Sequence, residues 1–512
     1  MGESAGDVGQ VLTHLRDLVE RDLDVEAAHL LAQKLGDPDF ADSLIPPALE
    51  LARLSPQPAA RMIIGAALAR LRPAYASTWR QVADIARSTG DYRTLADALV
   101  EAARTPEGRA EDRLGAALAA YQDNDLDRAE MLYQTVEDHD AADCGLAVIA
   151  LARGAVETSA VILRHLLQRT PGSVNALRLL AMVDPDPEVL SALAKTARSE
   201  RTPAEVRSAA AFALAQAYDR DDDPDAAMSW AALANETARQ RARPYDRAAQ
   251  EQAAEDLLNL FDRLPPPDRP LLNRPRPIVI VGLPRSGTSL VESLLAAHPG
   301  VIAGGERTDL SLACREIEIV LRSKGPDAAS RLFARRREGL VQELADRLFR
   351  AGIDSDVYLD KLPLNTPYAG LIARLLPEAK ILFVRRDPVE TALSIWLHDF
   401  SQAYAYASDL NALSHAVGLN DRLRDAWKDR LGEQFLEIDH DALCADPALE
   451  GRRMFEFCGL EWDDAYLDPR NRRSATNTFS ALQVRQAIRP RQPRAPLYQD
   501  LVGPLARTLG AP

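Results

Sequence analysis

"VGLPRSGTSL", Val281 to Leu290, overlaps the wholly apolar run "IVIV" (278–281) and leads into "SLVESLLAAH" (289–298). Strand, glycine-containing loop, helix is the order in which a loop cradles phosphate. Gly282 and Gly287 have the GxxxxG spacing, yet Gly287 is followed by Thr288 and Ser289 where nucleotide hydrolases carry Lys and Ser/Thr. Amides from Ser286 to Ser289 can point at one anion, and the new helix N-terminus adds partial positive charge. Gly287 permits close backbone approach, and Arg285 supplies a fixed charge with a fork of donors. Without the lysine that reaches terminal phosphates, the loop suits a single phosphate better than a triphosphate. The plain alternative is an ordinary tight strand-to-helix turn.

Working outward, "VYLD" (357–360), "KILFV" (380–384) and "FLEID" (435–439) read as further strands, each followed by a helical segment. Short apolar strands alternating with helices predict a parallel, doubly wound α/β region. Upstream, "LPPPDRPLLNRPRP" (264–277) halts helix, because proline lacks an amide donor and drives its predecessor toward extended backbone. This divides the chain into a helical region at 1–263, a Pro-rich linker at 264–276 and an α/β region at 277–512.

The helical region shows apolar residues at three and four spacings, abundant alanine and few β-branched runs. Breaks fall at 36–39, 89–92, 123–127, 170–173 and 219–225. The stretches beginning "GDYRTLADAL", "NDLDRAEML" and "GAVETSAVIL" are loosely self-similar, with small anchors at Ala96, Ala129 and Ala160. That period, with small residues where paired helices approach closely, resembles tetratricopeptide repeats and predicts an α-solenoid. An irregular helical bundle is the alternative.

Of 512 residues, 46% are apolar and 27% charged, which describes a globular chain. No apolar run approaches the roughly 20 residues needed to span a bilayer, and the N-terminus has no signal-peptide pattern. Cys144, Cys314, Cys444 and Cys458 show no metal spacing and read as reduced thiols of a cytoplasmic protein. The net charge of −15 lies wholly in residues 1–270, which hold 29 basic and 44 acidic residues; 271–512 hold 32 of each. That balance argues against a general nucleic-acid binder, and favours a basic partner or a second subunit at the repeats. The charge run Arg335, Arg336 and Arg337 reads as a solvated helix face.

"PRSGTSL" resembles the 5′-phosphosulfate loop of sulfotransferases that use 3′-phosphoadenosine 5′-phosphosulfate (PAPS), and "VRRDPVETALS" (384–394) their 3′-phosphate motif. The segments "AAHPGVIAGGERTDL" (296–310), "LDKLPLN" (359–365), "SALQVRQAIRP" (480–490) and "LVGPL" (501–505) are similar to those of bacterial tetratricopeptide-repeat sulfotransferases and the related protein-tyrosine sulfotransferases. The resemblance covers about residues 277–510. It implies a P-loop-like three-layer α/β fold and a metal-free transfer from PAPS to an acceptor hydroxyl, of which a peptide tyrosine is first choice and a carbohydrate or small-molecule hydroxyl second. It places Glu306 as catalytic base, with Arg285 and Lys361 stabilising the transferring group and the leaving phosphate oxygen. Arg285, Ser286, Gly287, Thr288 and Ser289 then bind the 5′-phosphate, and Arg386 and Ser394 the 3′-phosphate. Ser480 falls on a cofactor-contacting serine, and Arg494 takes the place of a C-terminal arginine.

The sequence departs from that pattern twice. His440 stands where relatives often carry tyrosine, and Ala495 follows Arg494 where they carry tryptophan. His298 in "AAHPG" is a rival base, and a capping residue on the plainer reading. A nucleotide kinase or hydrolase, opposed by the missing lysine, and a scaffold whose α/β region has lost activity are the competing functions.

Overall fold

The computed structural model describes residues 3–21, 23–55, 58–71, 75–241, 244–267, 269–272, 274–400, 404–471, 486–490 and 492–498. Ser480 lies outside them. Among the described residues, helix runs from Glu3 to Arg263 in fifteen segments, with Tyr92–Arg104 packed on Ala76–Thr89 and Pro224–Arg239 on Ala204–Arg220. The repeat is written in its turns. Gly90, Asn124, Gly154 and Asp222 all have positive φ. Each is followed by the residue that opens the next helix, and Asp91, Asp125 and Asp223 cap theirs by accepting from Thr94, Arg128 and Ala226 amides. Ala96, Ala129 and Ala160 are buried, as close helix pairing requires.

Beyond the prolines stands a five-stranded, wholly parallel sheet: β1 Arg276–Gly282, β2 Val301–Ala303, β3 Val357–Lys361, β4 Lys380–Arg385 and β5 Phe435–Asp439, in the order β2-β3-β1-β4-β5. The three-residue β2 is missing from the sequence reading, being too short to carry a pattern. Ile278, Val279, Ile280 and Val281 are fully buried, so both faces of β1 are covered by helices or loops. Strand order reverses at β1, and in open parallel sheets ligands bind at the carboxyl ends of strands around such a point. The ends of β1, β3, β4 and β5 carry Gly282, Lys361, Arg385 and Asp439.

The chain forms two compact units: Met1–Glu137 with Arg307–Gly352, and Asp138–Glu306 with Ile353–Pro512. Compactness therefore does not follow the change from helix to sheet. In the first unit the helices Asp309–Lys324 and Pro326–Arg350 pack together, and Arg307 bonds Asp123 at 2.6 Å and Asp309 at 2.7 Å. Arg336 departs from the solvated face expected of its run: it is buried, pairing with Glu316 at 3.1 Å and Glu343 at 2.8 Å. In the second unit one apolar core joins Leu163, Leu180, Leu193, Leu214 and Trp230 of the repeats to Leu393, Ile395 and Val417 of the α/β region. Asn235 Nδ2 donates to the Trp396 carbonyl across it at 2.9 Å. Among the described residues no helix is long and apolar enough to cross a membrane.

Candidate active site

The loop after β1 is a tight turn closed by Ser286, whose amide and hydroxyl both donate to the Leu283 carbonyl, at 3.3 and 2.7 Å. Arg285 sits at φ 68°, a left-handed conformation rare outside glycine and seen where a loop is held for function. Gly287, at φ 104°, precedes the helix Thr288–Leu295. A Cβ there would lie 2.3 Å from His440 Cδ2, so only glycine fits. His440 thus packs against the loop, with Nδ1 3.0 Å from Asp441 and Nε2 3.6 Å from Cys444 Sγ. Thr288 and Ser289 supply two of the first-turn amides that a helix leaves without intrahelical acceptors, the requirement for an anion site.

Lys361 ends β3. Its backbone amide donates to the Gly305 carbonyl at 3.1 Å, and the Gly304 amide to the Leu359 carbonyl at 2.8 Å. These bonds continue the β2–β3 ladder and deliver Glu306 to the lysine. Gly304 is required by close approach, a Cβ there standing 2.3 Å from the Tyr358 ring. Lys361 Nζ, its side chain 1% exposed, donates to Glu306 Oε1 at 2.7 Å. Glu306 is 40% exposed, so its carboxylate remains open to solvent while the ammonium is not. Glu292, on the helix that opens at the loop, stands 3.9 Å from Nζ and is fully buried. Burial pulls the Lys361 pKa down, but Glu292 and then Glu306 outweigh it and hold the ammonium above its ordinary value.

β4 delivers Arg386. The carboxylate of Asp387 caps the helix Pro388–Trp396, accepting from the Val389 and Glu390 amides at 2.9 Å. Arg386 pairs instead with Glu390, Nη2 to Oε2 at 3.3 Å, and its Nε is buried with no hydrogen-bond partner among the described residues. Ser394, two turns along, accepts from Arg285 Nε at 3.1 Å, so the two phosphate motifs meet. His398 Nδ1 lies 2.7 Å from the Ser394 carbonyl, and burial, reinforced by Arg285, holds its pKa well below the ordinary value. Arg494 is placed on the repeats, Nη1 donating to Asp219 Oδ2 at 2.8 Å, with Tyr498 hydroxyl on the same carboxylate. The Ala495 amide donates to Glu390 Oε1 at 2.6 Å.

The structure thus gathers Arg285 with Ser394, and Lys361 with Glu306, at neighbouring strand ends. His298 is engaged in its own turn, Nδ1 accepting from Gly300 at 3.1 Å, and packs among Phe455 and Tyr466. Glu292 and Glu390 are absent from the sequence reading. A lone carboxylate inside the apolar helix "SLVESLLAAH" is the signal that points to the first. Among the described residues no cluster of three His, Cys, Asp or Glu is placed to hold a metal ion.

A parallel sheet thus carries a glycine-containing loop of phosphate-binding type at its reversal point, with Lys361 at the end of the next strand bonded to Glu306. Residues 277–464 match the model of the sulfotransferase family. The chain is 25% identical over 210 residues to a protein-tyrosine sulfotransferase of Drosophila melanogaster, covering 38% of this chain and 40% of that one. It is 27% identical over 315 residues to an uncharacterized protein of Aquifex aeolicus (strain VF5), covering 59% and 41%. It therefore spans about two fifths of the length of these relatives. The sulfotransferase domain of the Synechococcus PCC 7002 olefin synthase is 18% identical, covering 48% of this chain and 98% of its own, with a TM-score of 0.29.

Proposed function

We propose that residues 277–512 transfer a sulfuryl group from PAPS to an acceptor hydroxyl, with residues 1–263 as a helical repeat region joined through 264–276. The observation that carries this reading is the buried Lys361 ammonium bonded to the half-exposed Glu306 at 2.7 Å, one strand from the loop.

The residues fit the cosubstrate. Gly287 leaves a cradle that a Cβ would fill, the first turn of Thr288–Leu295 offers amides, and Arg386 keeps a buried Nε unpartnered among the described residues. Ser286 to Ser289 with Arg285 would hold the 5′-phosphate, and Arg386 and Ser394 the 3′-phosphate, each through charge-assisted bonds. When bound, PAPS supplies the sulfuryl group on an anhydride whose departing phosphate is already a good leaving group. Glu306 accepts the acceptor's hydroxyl proton. Lys361, itself buried, and Arg285 place fixed positive charge where negative charge develops.

For the acceptor we favour a peptide tyrosine, in keeping with the Drosophila melanogaster relative. A carbohydrate or small-molecule hydroxyl is the second reading, consistent with the half-exposed base. The repeats engage a protein partner or a second subunit, and the free cysteines are in keeping with a cytoplasmic location. Incubation with PAPS carrying labelled sulfur and a tyrosine peptide, a simple phenol or a cell extract tests the proposal. Label in any acceptor supports it; ATP consumption without label transfer refutes it.

A further inference from the structure

Three carboxylates act on the Lys361 charge: Glu292 from the helix Thr288–Leu295, Glu306 from the turn after β2, and its strand neighbour Asp360. Asp360 is engaged elsewhere, accepting from Asn365 Nδ2 at 2.7 Å and Tyr358 hydroxyl at 3.3 Å. The remaining two differ in surroundings more than in distance. Glu306 bonds the ammonium directly but reaches solvent, where water screens its charge; Glu292 is 3.9 Å away with no exposure. Coulomb energy varies as 1/(εr), and the effective dielectric falls severalfold from surface to interior. A modest increase in distance is therefore more than offset by burial.

Turnover sharpens the difference. In the reaction proposed above, the acceptor's O–H bond breaks, its proton passes to a Glu306 oxygen, and Glu306 becomes neutral. Lys361 would then be a fully buried ammonium whose nearest partner has lost its charge, and such an ion releases its proton unless another charge holds it. We propose that Glu292 is the permanent counter-ion and positioning residue of Lys361, keeping the ammonium charged and in place while Glu306 carries the acceptor's proton. The helix geometry supports this role. Glu292 follows Thr288 by one turn, so the element that presents the loop amides to phosphate also presents a carboxylate to the lysine. The outcome is a division of labour between two glutamates on one lysine: the exposed one exchanges a proton and the buried one does not. The turnover part rests on the sulfuryl-transfer reading; the pairing rests on the structure alone.

The chain has only six lysines, so 13Cε-lysine NMR on the full-length protein can follow Lys361 directly, assigned by its loss in Lys361→Arg. In Glu306→Gln, which mimics the protonated base, Lys361 should stay charged across the range in which the protein is folded. In Glu292→Gln its titration midpoint should move to lower pH, and by more than in Glu306→Gln; Glu292→Asp, which keeps the charge, should restore most of it. A neutral Lys361 at pH 7 in Glu306→Gln, or a larger shift there than in Glu292→Gln, overturns the proposal, and the first of these outcomes needs no Glu292 variant to fold. In the transfer assay, Glu292→Gln should lower kcat and move its basic limb to lower pH with KM for the acceptor unchanged; an unmoved limb contradicts the role in turnover. If wild type transfers no sulfuryl group while the NMR result is as expected, the functional reading fails and the counter-ion assignment stands.

Discussion

The two ends of the candidate site pair their cations differently. At the reaction end, Lys361 is enclosed by carboxylates from separate elements, and one of them, Glu306, is left facing solvent. At the end expected to take the second anion, each arginine holds a carboxylate of the chain: Arg386 holds Glu390, and Arg494 holds Asp219. On the proposed reading, the first arrangement lets the exposed glutamate take up a proton while the buried one keeps the lysine charged. On the same reading, the second would make binding an exchange, in which a phosphate displaces a carboxylate from its arginine. Affinity at that end is then a difference between two ion pairs, and changing the displaced carboxylate should matter as much as changing the arginine.

The largest effect should come from removing the support of the second end. The helix Pro388–Trp396 rests on the repeats through Leu393, Ile395 and Trp396. A chain beginning at Leu271 should therefore show no cooperative thermal transition and bind no adenosine 3′,5′-bisphosphate. Cooperative melting with intact binding would mean that the α/β region stands alone and that the shared core is dispensable.

At the reaction end, Glu306→Gln keeps the shape and removes proton acceptance. Sulfuryl transfer should fall by ~10²–10⁴-fold, while bisphosphate affinity, set by the other end, stays within about twofold of wild type, a margin well under 1 kcal/mol. A matched loss in both quantities would merge the two ends into one binding site. At the second end, Glu390→Gln removes the competing carboxylate. A largely buried i,i+4 pair is worth on the order of 1 kcal/mol net, so calorimetry should find bisphosphate bound roughly fivefold more tightly. Weaker binding would show that Glu390 orders Arg386 and does not compete for it.

The smallest effect is one of pH. His398 lies between the ends, beside Ser394, and burial with Arg285 nearby holds its pKa well below 6.5 in the folded state. The unfolded chain then binds the proton first. Stability should fall as pH drops below about 6.5, by up to roughly 1.4 kcal/mol per pH unit for this one group. His398→Asn should flatten that slope in denaturant titrations at pH 5 and 7; an unchanged slope would assign the acid sensitivity to other groups.

The same contrast decides what the sequence makes legible. The phosphate loop reads clearly because its chemistry is local: strand, glycine at a fixed offset, helix start. The parallel sheet reads for the same reason, except β2, whose three residues carry no periodicity. Lys361 and Glu306 are 55 residues apart, and only the resemblance joins them before the β2–β3 ladder does so in space. The carboxylates that tune the site lie further out of reach. Glu292 looks like any polar residue on a helix, although an apolar helix has little reason to bury one. Arg386 offers Asp387, Glu390 and a phosphate as partners at once, and only the Asp387 N-cap removes the first. Arg494 meets Asp219 at a separation of 275 residues, for which no sequence signal exists. The Pro-rich break at 264–277 marks where helix gives way to sheet, but a stop in local structure does not report which faces bury each other afterwards.

On the proposed function, the site would hold two separated monophosphate-type anions, one on the loop and one at Arg386. The most direct measurement is the thermal stabilisation of wild type and Arg386→Ala by adenosine 3′,5′-bisphosphate and by AMP. At a hundredfold excess over its dissociation constant, a ligand that binds only the native state adds about 2.7 kcal/mol. The bisphosphate should stabilise wild type far more than AMP does at equal concentration, and Arg386→Ala should erase most of that difference while leaving the AMP response in place. Equal stabilisation of wild type by both ligands would contradict the account.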